Sequence, residues 1–541
     1  MEQSSCILAL DLGTSAFKAA PVTPDGLLAE PVGVAYELDT CDGAVTCPPE
    51  RYYRTAMEAL RRAAAAAKAA GRRVEAIGIA SQAQTYVALV YDGRPIRDAV
   101  VWMDSRAAAE AERANLALPD APAHCGFRAF SPLQFLPKLM HLHGGAAARE
   151  SALAYRSHRP YQSYPTHRTA APRNTAAMPA APHSPTASGP AARYLLLNEY
   201  VALRLTGHAF GDETVQGMGG LFHIGRRAWS PEALALAGIF ERQLAEIGPA
   251  AALSERLLPE IAAALGIGAV RVYQCGNDQA CAAAGVDLGE PVGLLCNFGT
   301  AMVIYARRDV QPVSLTESQI AGIDPLTGGW FLLGLENECG NVVDRLAGQL
   351  CPGEGIKGLL QIAAQPDPYT SPPELGGRGA NAELGGRGAN AELAGRGANP
   401  ELGTRAANQE YKANGASLEP RGTLELADTT ARHSHLSIAH AAIAADHLHL
   451  GPLIAQYGGA KIAHAVLHYY RDRFCALVAE LREKEAAHGR LISAGGLSRS
   501  RAWLEFLFQG LPLTLERAQT EHPALVGIAR IVARQSHSDP S

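Results

Sequence analysis

One strand–turn–strand pattern, closed by Gly-Thr, occurs twice in this sequence and constrains the fold more than any other feature. The first copy is Ile7-Leu-Ala-Leu and Phe17-Lys-Ala-Ala-Pro-Val around Gly13-Thr14. The second is Leu294-Leu-Cys-Asn-Phe and Met302-Val-Ile-Tyr around Gly299-Thr300. The rest of the chain alternates strand-like and helix-like segments, which is typical of an α/β fold. The repeated hairpin therefore predicts two related α/β domains that arose by internal duplication.

Local patterns place further elements between the two hairpins. Residues 52–70 are rich in alanine and other good helix formers and are followed by Gly71, a frequent helix-ending residue, so they predict a helix. Ile77-Gly-Ile-Ala predicts a strand. Residues 270–273 predict another strand, which a polar turn connects to a helix over 279–284.

Two stretches lack the composition of a packed core. Residues 160–192 contain seven prolines and only three large apolar side chains. Ordering their backbone would cost roughly 30–60 kcal/mol, whereas burying those three side chains would return about 15 kcal/mol. Residues 366–432 include a glycine-rich repeat of period nine that begins at Glu374 and again at Glu383. We predict two disordered insertions, with a ligand-binding repeat as the alternative for the second.

Composition narrows the classes of function. The chain has 48 basic and 53 acidic side chains and a formal charge of -5, which argues against nucleic acid as a partner. It has no uncharged apolar run of about 18 residues, so no membrane span is expected. The acidic start of the sequence is unlike a signal peptide. Ten cysteines without a Cys-x-x-Cys pair predict reduced thiols and a cytoplasmic location.

The first hairpin carries the first candidate site. Gly13 in a tight turn allows backbone N–H groups to approach a phosphate, and the hydroxyls of Thr14 and Ser15 add donors. Asp11, beside the turn, suits Mg²⁺, which prefers oxygen ligands shared with phosphates. Lys18 adds a positive charge. The alternative is an ordinary hairpin turn without a ligand.

Two later segments offer further candidates. Asp278 follows a predicted strand and opens a predicted helix. It is either a simple helix cap or a carboxylate that accepts a proton from a substrate hydroxyl. Gly495-Gly496 follows a strand-like segment and precedes a helix-like one. Such a turn either accommodates a purine or its ribose, or only connects the two elements.

A third group combines polar and aromatic side chains around a predicted hairpin at residues 92–93. Gln82 and Gln84 lie on one side of that hairpin, and Trp102, Asp104 and Arg106 lie on the other. Two amides, an indole, a carboxylate and a guanidinium provide the apolar face, donors and acceptors that a polyol requires. An exposed polar strand end is the alternative.

Taken in order, these motifs resemble the FGGY carbohydrate kinase family, within the actin/hexokinase/Hsp70 superfamily. The resemblance covers residues 5–140, about 193–345 and about 433–530. The motifs that carry it are Asp11-x-Gly-Thr-Ser, Gly78-Ile-Ala-Ser-Gln, Trp102-x-Asp-x-Arg, Gly276-x-Asp278, Gly299-Thr300 and Gly495-Gly496.

The resemblance implies two actin-like (ribonuclease-H-like) domains around a central cleft: a sugar-binding domain over 1–268 and an ATP-binding domain over 269–541. It implies that Asp278 deprotonates the sugar hydroxyl and that Asp11 binds Mg²⁺. The implied ATP-binding residues are Gly13, Thr14, Ser15, Lys18, Gly299, Thr300, Gly340, Gly495 and Gly496. The implied sugar-binding residues are Gln82, Gln84, Trp102, Asp104 and Asp278. ATP and Mg²⁺ are the expected cofactors.

Differences from subfamily patterns indicate the substrate. Glycerol kinases carry Arg-Glu where this chain has Ala83-Gln84, which disfavours glycerol. Xylulokinases typically read Gln-Met-His-Gly where this chain reads Gln82-Ala-Gln84-Thr, but the arrangement around Trp102 is closer to the pentulose kinases. We therefore expect phosphorylation of a ketopentose such as xylulose, or of a related ketose or polyol. A homodimer is compatible with the sequence.

Two alternatives to a sugar kinase remain. The insertions and a chain that ends soon after Gly527 motivate the first, a catalytically degenerate homologue that acts as a nucleotide or sugar sensor. The second is an acyl-phosphate kinase or an ATPase of the same superfamily, although it leaves Trp102-x-Asp-x-Arg unexplained.

Overall fold

The computed structural model describes residues 4–90, 92–144, 193–288, 293–364, 429–445, 450–482 and 489–538. The chain divides into two compact units, Met1–Asn341 with Arg471–Ser541, and Val342–Tyr470. The first unit holds all of the described strands, and the described part of the second is helical. Described strands are numbered β1 to β22 and described helices α1 to α16 along the chain.

A seven-stranded sheet is the largest sheet of the first unit. Its strands are β1 (Ser5–Leu12), β2 (Ala16–Thr23), β3 (Gly26–Leu27), β4 (Val32–Ala35), β7 (Arg73–Ser81), β15 (Ser254–Arg256) and β16 (Arg271–Asn277). They follow the order β15-β16-β7-β1-β2-β3, with β4 also paired to β2. Strands β16, β7 and β1 are parallel, whereas β1 and β2 form the antiparallel hairpin predicted from the sequence.

Two further sheets and two small strand pairs complete the β-structure described for this unit. A five-stranded sheet has the order β10-β8-β9-β6-β5, built from β5 (Asp39–Cys41), β6 (Ala44–Cys47), β8 (Tyr86–Leu89), β9 (Ala99–Val100) and β10 (Arg193–Leu196). A six-stranded sheet has the order β19-β20-β18-β17-β21-β22, built from β17 (Leu294–Phe298), β18 (Met302–Arg308), β19 (Gln319–Ile323), β20 (Trp330–Glu336), β21 (Gly489–Ala494) and β22 (Leu513–Arg517). The small pairs are β11 (Phe210–Asp212) with β14 (Glu246–Gly248), and β12 (Phe222–His223) with β13 (Ala228–Trp229).

Helices connect and cover these sheets. The first unit contains α1 (Pro49–Ala69), α2 (Ala108–Ala117), α3 (Ala121–Cys125), α4 (Phe135–His143), α5 (Leu197–Thr206), α6 (Glu213–Gly217), α7 (Pro231–Ala237), α8 (Pro259–Leu265), α9 (Asp278–Ala284), α15 (Arg501–Phe508) and α16 (Pro523–Ser538). Helices α10 (Gly340–Leu350) and α14 (Gly459–Leu481) extend over the residues at which the units are divided. The second unit also contains α11 (Gly355–Ala363), α12 (Thr429–Ala444) and α13 (Leu450–Tyr457).

The seven-stranded sheet is buried on both faces. Side chains alternate along a strand, so β1 contributes to two hydrophobic clusters. Leu8 packs in one cluster with Tyr52 of α1. Ile7 packs in the other with Ile528 of α16. The two clusters cover both faces of the sheet and so fix the positions of the carboxyl ends of β1, β7 and β16.

Helix α1 shows how the sequence determines an element of this frame. Its buried positions recur every three or four residues, so one alanine-rich face meets the core. The helix ends just before Gly71, whose φ of 65° suits glycine. The predicted helix over 52–70 is confirmed. It begins slightly earlier, because Pro49 occupies the first helical position, where proline has no hydrogen bond to lose.

Two glycines bring α9 and α16 into close contact. A Cβ on Gly527 would lie 1.8 Å from the Cys281 carbonyl oxygen, and one on Gly285 would lie 1.8 Å from the Pro523 carbonyl oxygen. No L side chain fits at such distances. The C-terminal helix is therefore packed directly against the helix that begins with Asp278.

The second unit contains a contact between two of its helices. Arg345 of α10 donates from Nη2 to the carbonyl oxygen of Ile443 at 3.0 Å. The same nitrogen reaches the carbonyl of Ala442 at 3.4 Å. These carbonyls belong to the last turn of α12, which leaves its terminal carbonyls without helical partners. Arg345 therefore caps α12.

Several expectations can be compared with these elements. None of the described helices combines the length and apolar character that crossing a bilayer requires. All ten cysteines lie among the described residues, and none of them forms a disulfide there. The predicted insertions over 160–192 and 366–432 lie outside the described residues, except that α12 begins at residue 429. The predicted boundary after residue 268 stays a prediction; β16, just beyond it, pairs within the N-terminal sheet.

Candidate active site

The ends of three adjacent parallel strands bring the two candidate carboxylates together. Asp11 of β1 and Gly276 of β16 both pair in register with Ala80 of β7. They are thus two strand spacings apart, roughly 10 Å between backbones. Asp278 follows Gly276 by two residues and opens α9. The sheet order therefore places both candidates at the same edge, although they are far apart in sequence.

Asp11 is held in an environment that disfavours its charge. Its Oδ1 atom is buried and has no hydrogen-bond partner among the described residues. Burial and, next, the negative charge of Asp278 raise its pKa from 3.8 to about 7, while the ammonium of Lys18 acts in the opposite direction. Lys18 is the cross-strand partner of Asp11 in the β1–β2 hairpin. The two carboxylates therefore interact electrostatically.

Asp278 occupies the first turn of α9. Its Oδ1 accepts a hydrogen bond from the backbone N–H of Gln279 at 2.8 Å, and Asn277 accepts from the same N–H at 3.0 Å. Burial raises the pKa of Asp278 above its usual value, and these hydrogen bonds partly oppose the rise. Gly276, two residues earlier, has a φ of 114°, a conformation that favours glycine. The strand thus makes a sharp turn into the helix.

The hairpin turn connects the predicted phosphate side to the predicted sugar side. The Thr14 hydroxyl donates to Oε1 of Gln82 at 3.0 Å and accepts from the indole N–H of Trp102 at 3.0 Å. The Tyr36 hydroxyl donates to the Gly13 carbonyl at 2.7 Å and secures the turn from outside. Ser15 is exposed at its tip. Thr14, predicted to contact phosphate, therefore also orients Gln82 and Trp102, two of the predicted sugar contacts.

Gln82 and Gln84 present unpartnered polar atoms in a buried setting. They are only 5% and 8% exposed. Nε2 of Gln82 and Oε1 of Gln84 have no hydrogen-bond partner among the described residues. Gln84 also has a φ of 71°, which is uncommon for a residue other than glycine. A buried donor and a buried acceptor without partners are costly to a folded protein, which favours a ligand as their partner.

Asp104 differs from the other predicted sugar contacts. It is 2% exposed and forms a bidentate ion pair with Arg106, with Oδ2 at 2.7 Å from Nη2. Oδ2 also accepts from the backbone N–H of Val45 at 3.0 Å. Its carboxylate is thus occupied by the loop around it. Asp104 as a sugar contact stays a prediction, and these contacts favour a structural role.

The predicted nucleotide residues come together at the end of β17. Gly340 donates its N–H to the Gly299 carbonyl at 3.1 Å, and a Cβ on Gly340 would lie 2.3 Å from that oxygen. A Cβ on Gly495 would lie 2.5 Å from the Phe298 carbonyl oxygen. Thr300 is exposed, and the space around Gly496 is open. Three backbone segments thus approach one another here with no room for side chains.

One connection between the two sides was missed by the sequence reasoning. Nδ2 of Asn297, in β17, donates to Oε1 of Gln279 at 3.1 Å. Gln279 adjoins Asp278, and Asn297 is two residues before Gly299. The sequence does show an amide side chain next to each of these two predicted motifs. It does not indicate that Gln279 and Asn297 contact each other.

The oxygen-rich environment of Asp11 fits Mg²⁺. Among the described residues, no group of three or more His, Cys, Asp or Glu side chains forms a metal site by itself. Mg²⁺ commonly binds through one or two carboxylates together with substrate phosphates and water. Asp11 provides a buried carboxylate oxygen without a partner, next to a second carboxylate. This donor set suits a divalent cation that arrives with a nucleotide.

Comparison with known proteins finds a match to one family of kinases. Residues 6–118 and 181–285 match the N-terminal domain of the FGGY family of carbohydrate kinases. The chain is therefore similar to this family over the segments that contain the N-terminal hairpin, the predicted sugar contacts and Asp278. The predicted resemblance is therefore confirmed, and the matched residues include Asp11, Gln82, Trp102 and Asp278.

Individual members of the family are similar over different lengths. The glycerol kinase of Rhodospirillum centenum (strain ATCC 51521 / SW) is 39% identical over 114 residues, which is 20% of this chain and 22% of that protein. The xylulose kinase of Bacillus subtilis (strain 168) is 24% identical over 365 residues, which is 66% of this chain and 64% of that protein. The matches thus span less than two thirds of either relative.

The fold is shared with solved family structures. A ligand-bound xylulose kinase from Lactobacillus acidophilus superimposes with a TM-score of 0.67 and 16% sequence identity. The match covers 99% of this chain and 90% of that one. The predicted α/β fold of a two-domain FGGY kinase is confirmed.

Proposed function

We propose that this protein transfers the γ-phosphoryl group of ATP to a hydroxyl of a ketopentose such as xylulose, or of a related ketose or polyol. The observation that carries the proposal is the shared location of Asp11 and Asp278 at the ends of neighbouring parallel strands, where their charges interact. Phosphoryl transfer requires precise placement and charge neutralisation more than covalent participation by the protein. The two carboxylates and the glycine turns at Gly13 and Gly299 would meet both requirements.

Asp278 is the proposed general base. It is at the start of a helix, on a rigid element anchored by the β16 strand and by α16. Its raised pKa makes its carboxylate a stronger base than an exposed aspartate, which favours proton abstraction from an alcohol. Proton transfer to a positioned base commonly contributes about 10²- to 10⁴-fold to rate.

Asp11 is the proposed ligand for Mg²⁺, directly or through water. When bound, Mg²⁺ neutralises charge on the triphosphate. The chain itself would contribute the Asp11 carboxylate, the ammonium of Lys18 and the backbone N–H groups around Gly13. The Gly299-Thr300 turn of the second hairpin would contact the phosphates from the other sheet, and Gly340 with Gly495-Gly496 would line the adenosine pocket.

The proposed sugar contacts are Gln82, Gln84 and Trp102. A sugar hydroxyl is both donor and acceptor, so it matches the unpartnered Nε2 of Gln82 and the unpartnered Oε1 of Gln84. The Trp102 indole is oriented by its hydrogen bond to Thr14. Ala83-Gln84 lacks the Arg-Glu pair of the glycerol kinases, and the longer curated match, over 365 residues, is to a xylulose kinase. These features support a ketose over glycerol.

The direct test is a coupled ADP-release assay with a panel of pentuloses, hexuloses, polyols and glycerol. We expect Mg²⁺-dependent turnover that is fastest with a ketopentose and about 10²- to 10⁴-fold slower in Asp278→Asn. The exposed Asp25→Asn variant is the matched control and should retain full activity. Absence of turnover on every substrate, with folded protein that still binds ATP, would instead favour the non-catalytic sensor, which no observation of the described residues supports.

We also propose a cytoplasmic location. ATP as the phosphoryl donor supports it, as do ten cysteines that form no disulfide among the described residues, eight of them buried. Cell fractionation that recovers the protein in a membrane or secreted fraction would contradict it.

A further inference from the structure

Lys138 of α4 is a lysine that the protein buries without a carboxylate in hydrogen-bond contact. It is 3% exposed. Its Nζ donates to the main-chain carbonyls of Val101 at 2.7 Å and Trp102 at 2.9 Å, and it reaches the carbonyl of Gln84 at 3.5 Å. An ammonium has three protons to donate, and three carbonyl oxygens surround this one.

Burying the charged end of this side chain costs free energy, and filling the same space does not require a charged group. Burial lowers the pKa of Lys138 well below its usual range, and the charge of Asp104 opposes that effect. Asp104 itself is paired with Arg106. Its neighbours in α4, Phe135 and Leu139, belong to a hydrophobic cluster, and an apolar side chain of similar length would be buried at position 138 at lower cost than a charged one. The reason for a lysine must therefore lie in what its ammonium holds.

The ammonium joins two segments that carry the proposed sugar contacts. Gln84 is on one segment, in a left-handed backbone conformation, and Trp102 is on the other. The segments also meet where Trp102 donates its backbone N–H to Oγ1 of Thr85 at 3.0 Å, and where Tyr86 pairs with Val100. Lys138 contacts carbonyls of both segments. It therefore links the backbone of Gln84, whose side-chain Oε1 has no hydrogen-bond partner among the described residues, to the backbone of Trp102.

We propose that Lys138 is a positioning residue for sugar binding, which holds Gln84 and Trp102 at the separation that the sugar requires. This inference rests on the proposed function. The ammonium itself is enclosed by carbonyls and would not touch the sugar. Its loss should therefore weaken sugar binding without changing the nucleotide side, whose Gly299 and Gly495 turns are on another sheet.

The kinetic test compares Lys138→Met, which keeps the length of the side chain and removes the ammonium, with Lys68→Met, an exposed lysine of α1. We expect Lys138→Met to raise KM for the sugar about 10- to 100-fold, with kcat and the Kd for ATP changed less than about threefold. Lys138→Gln, which retains two donors, should recover part of the affinity. Equal losses for sugar and ATP, or no change in sugar KM, would overturn the proposal.

Hydrogen exchange tests the same contact without a substrate. In the unliganded protein, Lys138→Met should accelerate amide exchange in peptides that contain residues 84–86 and 100–103, and leave the β17–β18 hairpin unchanged. This result is measurable even if the protein phosphorylates no sugar. Failure of the proposed function is therefore distinguishable from failure of the proposed positioning role of Lys138. If neither Lys138→Met nor Lys138→Gln folds, Lys138 is required for the fold rather than for positioning, and the proposal is wrong.

Discussion

Asp11→Asn should stabilise the unliganded protein at alkaline pH while removing its activity. The pKa of Asp11 is raised from 3.8 to about 7, so the folded protein binds a proton that the unfolded chain releases. Between these pH values the native state holds more protons than the unfolded state. Raising the pH through this range therefore lowers the free energy of unfolding. Asparagine does not ionise, so Asp11→Asn should abolish this decrease in the free energy of unfolding.

The size of the effect follows from the two pKa values. For a single site with these values, the reduction in the free energy of unfolding is roughly 2 kcal/mol at pH 5 and roughly 4 kcal/mol at pH 8. The reduction thus differs between the two pH values by roughly 2–3 kcal/mol. Because Asp278 also contributes to the raised pKa of Asp11, Asp278→Asn should reduce the same difference in part.

Urea unfolding of wild type, Asp11→Asn and Asp25→Asn at pH 5 and pH 8 measures this difference. Asp25 is exposed in the turn after β2, and asparagine keeps its turn chemistry, so Asp25→Asn should follow the wild type. Added Mg²⁺ with ATP should stabilise the wild type at pH 8 and stabilise Asp11→Asn much less. If the gain from Asp11→Asn were the same at both pH values, the argument from the buried carboxylate pair would be refuted.

Three further substitutions test other parts of the structure. Asp278→Asn should lower kcat by about 10²- to 10⁴-fold while ATP binding, measured by calorimetry, is retained. Trp102→Phe keeps an aromatic ring but loses the hydrogen bond to Thr14, so KM for the sugar should rise roughly 3- to 10-fold in steady-state assays. Gly527→Ala should reduce the free energy of unfolding by about 3 kcal/mol, because its Cβ would lie 1.8 Å from a backbone oxygen; Gly268→Ala, where the space is open, is the control in urea titrations.

The sequence predicted the parts of the fold that depend on neighbouring residues. The hairpin around Gly13-Thr14, helix α1 and the strand–helix turn at Asp278 each carry a local pattern: alternation, helical spacing, or a glycine at a turn. Since parallel strands end at one sheet edge, the same patterns also located the carboxyl ends that bear both candidate carboxylates.

Contacts between distant segments were not predictable in this way. Asp104 follows a conspicuous tryptophan, yet its carboxylate is bound to Arg106 and to the backbone of Val45, a residue far away in the sequence. The close approach of Gly527 to Cys281 depends on how two helices pack. No local pattern encodes either contact, because each is set by the tertiary arrangement of segments that have ordinary sequences.

Gln279 connects the two sides of the proposed site. Its backbone N–H donates to the Asp278 carboxylate, while its side chain accepts from Asn297 in β17. Asn297 Oδ1 would be 2.7 Å from a Cβ on Gly495, so this strand end is enclosed by the proposed nucleotide turn. A neutral hydrogen bond of this kind contributes only about 1 kcal/mol, which is too little to hold two sheets together but enough to favour one orientation of a side chain. The arrangement therefore orients the Gln279 side chain, which adjoins the proposed base, toward the strand end beside the nucleotide turn.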